Sequence, residues 1–380
     1  MERCRRRAFR GPARSAPVED GAPMKRLPGD AQLNVLAAIN AAVVLCAIAL
    51  TGGGFIDPYN LQSMAGQVPE LGLLAIGVML AMIAGNGGID LSGIALANLA
   101  GVCAGVLLPH WVDAGQTPLL FTLALVGVAL AVGLLGGLLN GLLIACAGLT
   151  PTLCTLGTQL VFAGLAVVLS GGSAVRIGLI EPLDFIGNGL VLGLPLCFML
   201  FVGIALAIGV WLRHSPFGMR LFLMGTNPKA ARYAGVPQRR MLLSVYTLCG
   251  LLASVSGIVI AARSSSVKWD YGSSYVLIAI LIAVMAGVRP EGGHGRMLCL
   301  LLSATALQFL SSTFNFLEVS SFFRDCAWGL MLLLFVASSR FDARSLLPLR
   351  LRHAVAAQSP PAARFNSGGL APARQEETAP

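Results

Sequence analysis

The stretch Leu130-Ala131-Val132-Gly133-Leu134-Leu135-Gly136-Gly137-Leu138-Leu139-Asn140-Gly141-Leu142-Leu143-Ile144 lies inside an apolar run from 118 to 147. As a helix rising 1.5 Å per residue, that run outreaches the ~30 Å hydrocarbon core of a bilayer. Its Gly133, Gly136, Gly137 and Gly141 fall at small-residue spacing, which lets two helices approach closely. Such spacing fits a compact helical bundle and carries no information about a substrate.

Comparable runs recur along almost the whole chain, and we place spans at 33–50, 66–84, 91–108, 118–147, 152–170, 190–212, 241–262, 273–288, 296–316 and 322–339. The 380 residues are 56% hydrophobic and only 11% charged, with mean hydropathy +0.80. A soluble domain carries roughly 25% charged residues. Lipid admits helices or closed barrels, and these runs lack a barrel's alternation. The expected fold class is all-α, a polytopic membrane helical bundle of about ten helices with broken or re-entrant segments.

Ten spans put both termini on one side, and positive charge selects the side. The first tail holds Arg3, Arg5, Arg6, Arg7, Arg10, Arg14, Lys25 and Arg26, and the last tail Arg340, Arg344, Arg350, Arg352, Arg364 and Arg374. The 213–240 loop holds Arg213, Arg220, Lys229, Arg232, Arg239 and Arg240 with no acidic residue. Opposite loops hold Arg176, Arg263 and Lys268 against Asp57, Asp113, Glu181, Asp184, Asp270 and Glu318. Both termini and the 213–240 loop are therefore expected in the cytoplasm. Residues 1–32 and 341–380 read as disordered tails around a membrane domain at 33–340, and no cleavable signal peptide is expected.

The net charge of +9 follows from this topology and implies no nucleic-acid partner. Nine cysteines form no Cys-x-x-Cys pair and the four histidines lie far apart, so neither a metal nor another cofactor is expected. The cysteines read as small residues that pack helices.

Within the basic loop, Asn227-Pro228-Lys229-Ala230-Ala231-Arg232-Tyr233-Ala234-Gly235-Val236 predicts a short capped helix. Asn227 serves as N-cap and Pro228 suits the first turn, while Gly235 ends the helix and Pro237 blocks its continuation. Ala230, Ala231 and Ala234 are expected on one smooth face, and Lys229 and Arg232 on another. A helix this short needs a partner.

Two glycine-rich segments break the helical pattern: Gly85-Asn86-Gly87-Gly88-Ile89-Asp90-Leu91-Ser92-Gly93, and Gly287 to Arg296. Asp90 has two readings. It contacts a substrate or ion on broken backbone beside a cavity, or it caps the following span by accepting N–H groups of Ser92 and Gly93. Asn140, Thr155, Thr158 and Gln159 either line a path for a hydroxylated solute or hydrogen-bond between helices. Asn86, Asp90, Ser92, Asn140, Thr155, Thr158 and Gln159 are thus the candidate pathway residues. Glu70 and the Arg324–Asp325 pair are expected near span ends, where snorkelling or mutual pairing accommodates them.

Between about residues 60 and 340 the chain resembles the permease subunits of bacterial ribose-type ABC importers, within the sugar and branched-chain amino acid permease family. Gly87-Gly88-Ile89-Asp90-Leu91-Ser92 resembles the family's Gly-Gly-Ile-Asp-Leu-Ser signature. Gly137-Leu138-Leu139-Asn140-Gly141 and Pro151 to Thr158 are similar to its next two motifs, and Ser215 to Val236 to its cytoplasmic loop. Gly93-Ile94 depart from the usual Val-Gly, as do Arg289-Pro290-Glu291 and His294 from the second glycine-rich turn.

The resemblance implies a bacterial inner-membrane transport subunit that is not itself an enzyme. It implies that the 227–235 helix docks on a cytoplasmic ATPase subunit. It also implies a periplasmic sugar-binding protein and a second permease subunit, in a homo- or heterodimer, within membrane lipid. The chain agrees in lacking a Gly-x-x-x-x-Gly-Lys-Ser/Thr phosphate loop. The alternatives are import of branched-chain amino acids or another polar metabolite, and an ion-coupled secondary carrier. A carrier would show several buried, paired ionisable residues along its path.

Overall fold

Proline opens six of the α-helices in the computed structural model, which describes residues 28–340. These are α1 (Pro28–Thr51), α2 (Pro58–Ile83), α4 (Pro118–Ala145), α5 (Pro151–Ser170), α8 (Pro216–Thr226) and α9 (Pro228–Tyr233). Proline's missing N–H has no intrahelical partner in a first turn, so its fixed φ favours the start. Between and after them lie α3 (Gly93–Leu107), α6 (Glu181–Asn188), α7 (Leu196–His214), α10 (Gln238–Ser264), α11 (Tyr275–Met285), α12 (Met297–Phe316) and α13 (Ser321–Arg340). Two short ribbons complete the set: β1 (Val175–Arg176) pairs antiparallel with β4 (Ser266–Val267), and β2 (Leu190–Val191) with β3 (Leu194–Pro195). The expectations for residues 1–27 and 341–380 lie outside the described residues. Described residues up to Gly329 form one compact unit; those from Leu330 onward belong to a second and contribute the end of α13.

The fold is the expected polytopic helical bundle, with eight helices among the described residues long and apolar enough to cross a membrane. Three predicted spans need correction, the 66–84 span because α2 starts at Pro58 and not at 66. The 273–288 span is the 11-residue α11, which rises only about 16 Å. The chain before it, from Lys268 to Ser274, enters the bundle without helix, held by Asn98 of α3. Its carbonyls at Trp269 and Tyr271 accept from the Asn98 amide at 3.1 and 2.9 Å. The 190–212 span starts late, at Leu196, because Leu192 and Gly193 turn back with φ of 53° and 82° to form the β2–β3 ribbon.

The glycines of the 118–147 run make the closest helix pair. A methyl on Gly137 would lie 2.6 Å from the Tyr246 carbonyl and 3.0 Å from Gly250 Cα on α10, and one on Gly250 would lie 2.3 Å from the Gly133 carbonyl. Gly133, Gly137 and Gly141 are thus spent on α10, backbone against backbone, while Gly136 receives Leu96 of α3.

Contacts define two ends of the bundle. At one, the ends of α2 and α8, the start of α12 and all of α9 gather. At the other, β1 pairs with β4 and α6 reaches the end of α10, where Asn188 donates to the Arg263 carbonyl.

Candidate functional site

Four of the candidate pathway residues are buried together. Asp90 is 6% exposed, Ser92 0%, Asn140 1% and Thr155 0%. Between Gly85 and α3 the chain runs unwound into the bundle, and in lipid its free backbone groups must find protein partners. These side chains supply them. Asp90 Oδ1 accepts from Ser92 N–H at 3.0 Å and from Ser92 Oγ at 2.7 Å, and Asn140 Nδ2 donates to Ser92 Oγ at 2.8 Å. Thr155 Oγ1 donates to the Ile89 carbonyl at 2.9 Å and accepts from Leu91 N–H at 3.2 Å. Thr152 reaches the Gly87 carbonyl at 2.8 Å.

The geometry therefore favours the capping reading of Asp90, with Ser92 hydroxyl in place of the expected Gly93 N–H. Thr158 bonds the Thr155 carbonyl in its own helix, Gln159 is half-buried, and Asn86 is exposed with φ 58°. Asp90→Leu is expected to lower stability by ~1–3 kcal/mol by orphaning buried donors, whereas Asp90→Asn retains a side-chain oxygen and loses less. Thermal unfolding of the two purified variants checks the order.

A second cluster holds the entry to α11. Glu70 is 2% exposed, twelve positions inside α2 and not near its end, because α2 starts at Pro58 and not at 66. Arg263 pairs with its carboxylate, and the phenols of Tyr271 and Tyr275 donate to Oε2 at 3.0 and 3.3 Å. Arg324 and Asp325 lie near the start of α13, as expected, and Arg324 donates to Asn315 Oδ1 at 2.5 Å in place of a mutual pair.

Polar space lies beside this cluster. A 360 Å³ cavity is walled by Gln67, Ser274, Tyr275, Gln308, Ser311 and Trp328 among others. None of the seven sequence-derived pathway residues is in its wall. Sequence reading missed Gln67 and Gln308 as a pair because 241 positions separate them. Their uncharged amides inside apolar runs were the available signal.

At the basic end, α9 is capped as expected. Asn227 Oδ1 accepts from Ala230 N–H at 3.0 Å, the Val236 N–H bonds the Ala231 carbonyl at 3.0 Å, and the Gly235 N–H bonds the Arg232 carbonyl at 3.1 Å. With Gly235 at φ 76°, this is a Schellman stop. The smooth alanine face is a correction: Ala231 is buried, while Ala230 and Ala234 stay exposed with Lys229, Arg232 and Tyr233, the last 94% exposed. Packing against α8 takes a single alanine and leaves the others outward.

Immediately before α9, Gly225 touches both glycine-rich breaks. A methyl there would lie 2.0 Å from the Ile83 carbonyl and 2.4 Å from Gly293 N, and one on Gly292 would lie 2.5 Å from Gly85 Cα. Gly293 N–H donates to the Ile83 carbonyl at 3.0 Å. Three separate segments thus meet main chain to main chain at the root of α9.

A family model described as branched-chain amino acid transport system / permease component matches residues 60–338. The ribose import permease protein RbsC of Escherichia coli (strain K12) is 33% identical over 300 residues, covering 78% of this chain and 90% of that protein. The Bacillus subtilis (strain 168) ribose import permease protein RbsC is 30% identical with the same coverage. The autoinducer 2 import system permease protein LsrD of Photorhabdus laumondii is 30% identical over 69% of this chain and 79% of its own. No solved structure matches.

Proposed function

Because the chain belongs to the branched-chain amino acid transport system / permease component family, we propose that it is the membrane-spanning subunit of an ATP-driven importer for a small sugar, ribose or a similar pentose or hexose. It acts with a second permease subunit, a periplasmic sugar-binding protein and a cytoplasmic ATPase subunit, with both of its termini in the cytoplasm of a bacterial inner membrane. Relatives named as ribose import permeases, matched over most of their length, support the sugar reading.

The observation that carries the coupling role is α9. It is closed at both ends by its own sequence, anchored by buried Ala231, and turns Lys229, Arg232 and Tyr233 outward. An exposed aromatic beside an arginine is the composition of an interface anchor. A basic surface also suits a partner that presents carboxylates.

Tyr233→Ala combined with Arg232→Glu is expected to cut sugar uptake at least about tenfold, since losing one anchor costs a decade or more of affinity. Thermal stability should stay unchanged, because neither side chain is buried. Full uptake by the double variant, with the ATPase still co-purifying, would sink the docking reading. An ion-coupled carrier gains no support: Glu70 is already neutralised by Arg263, and Asp90 is held by Ser92.

A further inference from the structure

Two polar cavities meet at one hydrogen bond. The outer one, 290 Å³, is lined by Asn60, Ser63 and Ser312, and the inner one, 360 Å³, by Ser273, Ser274, Ser311, Tyr275 and Trp328. Gln67, Gln308 and Asn315 belong to both walls. Gln308 Nε2 of α12 donates to Gln67 Oε1 of α2 at 3.1 Å. We propose that this Gln67–Gln308 bond is a gate that divides a two-chambered path for an uncharged, polyhydroxylated solute.

Two observations and two chemical arguments carry the assignment. Gln308 is 5% exposed, so its amide is held at the divide and not free on the surface. A neutral amide pair is exchanged for solute hydroxyls at little net cost, which a charged pair would not permit. Each amide offers both a donor and an acceptor, matching a hydroxyl that does the same.

Finally, among the described residues, the hydroxyls of Ser273, Ser274 and Ser311 engage no protein partner, so the inner chamber presents unspent hydrogen-bonding groups. Tyr275, Trp328 and the apolar Ile278, Ile282, Ala304 and Leu307 line the same chamber, as do Asp325 and Arg324, the latter donating to Asn315 Oδ1. Hydroxyls and amides beside aromatic rings offer a polyhydroxylated solute hydrogen-bond partners and apolar faces together. The nearby Glu70 charge is consumed by Arg263 and two phenols, leaving no free ion from that cluster to attract a charged solute.

This inference rests on the importer reading but is tested without the ATPase. The full chain, with Cys4, Cys46, Cys103, Cys146 and Cys326 changed to Ser, receives Ser63→Cys as outer reporter or Ser311→Cys as inner reporter. The probe is 2-(trimethylammonium)ethyl methanethiosulfonate. Ser63→Cys should label quickly and Ser311→Cys slowly. Gln308→Ala, and separately Gln67→Ala, should speed Ser311→Cys about tenfold while leaving Ser63→Cys unchanged; two variants guard against one failing to fold.

At least one of D-ribose, D-xylose and D-glucose should slow Ser311→Cys labelling, and L-leucine should not. Equal labelling of both reporters in the starting chain would overturn the gate, as would indifference of Ser311→Cys to both glutamine variants. Protection by L-leucine, or by none of the sugars, would overturn the solute class. Either failure leaves the Tyr233 and Arg232 result standing, and loss of coupling through α9 leaves the labelling result standing.

Discussion

Glu70→Ala is expected to lower the unfolding free energy by about 3–5 kcal/mol, the range for removing one partner of a buried ion pair. Glu70 is 2% exposed and the Arg263 side chain 21%, so the guanidinium left behind is largely cut off from water. Two phenols would lose their acceptor at the same time, since Tyr271 and Tyr275 both donate to Oε2. The damage should centre on the unwound entry to α11, because those tyrosines flank it. Glu70→Gln keeps an acceptor oxygen and should cost less. Glu70→Leu combined with Arg263→Leu should recover much of the loss, because an apolar pair of similar volume removes both buried charges together. Chemical denaturation of the purified chain measures all three. A loss below about 1 kcal/mol in Glu70→Ala would show that the pair is solvated, as exposed salt bridges are.

Helix positions were legible because membrane helices announce themselves by composition along a continuous run. The α9 caps were legible for a related reason: Asn227, Pro228 and Gly235 each act within a few residues of their own position. Asp90 shows where local reading ran short. Its acceptor role toward Ser92 was readable two residues away, but the Asn140 and Thr155 partners that close the knot lie on other helices. Of the residues read as a path, Asp90 and Thr155 bond the backbone that is not helical beside α3, the role that lipid leaves to protein partners.

Glu70 was misplaced because the span was started at 66, past the polar first turns of α2, which put a mid-helix carboxylate near a terminus. The Gln67–Gln308 bond and the Glu70–Arg263 pair join positions 241 and 193 apart. Those separations carry no periodicity, and a single sequence offers no other link between them.

Gly225→Ala is expected to cost about 2–4 kcal/mol, at or above the usual range for overpacking. The added methyl would sit 2.0 Å from the Ile83 carbonyl and 2.4 Å from Gly293 N. Those obstacles are main chain, so no rotamer change relieves them. Relief requires α8 to withdraw from both the end of α2 and the Gly293 turn, or those two to part and lose the 3.0 Å bond from Gly293 N–H to the Ile83 carbonyl. The neighbours cannot yield either. Gly293 has φ 72° with its own methyl position 2.1 Å from Thr226 Oγ1, and Gly85 has φ 81° against Gly225 itself.

Gly157→Ala and Gly164→Ala on α5 serve as controls, since nothing lies within 4 Å of either methyl position. They should be neutral or stabilising by up to about 1 kcal/mol, the helix preference of alanine over glycine. Thermal unfolding of the three variants in one detergent gives the comparison. Equal behaviour of Gly225→Ala and the α5 controls would mean that the junction is loose. A selective loss at Gly225 would establish that α9 is rooted where the two glycine-rich breaks meet, so that a displacement of α9 is felt by the ends of α2 and α8 and by the turn before α12.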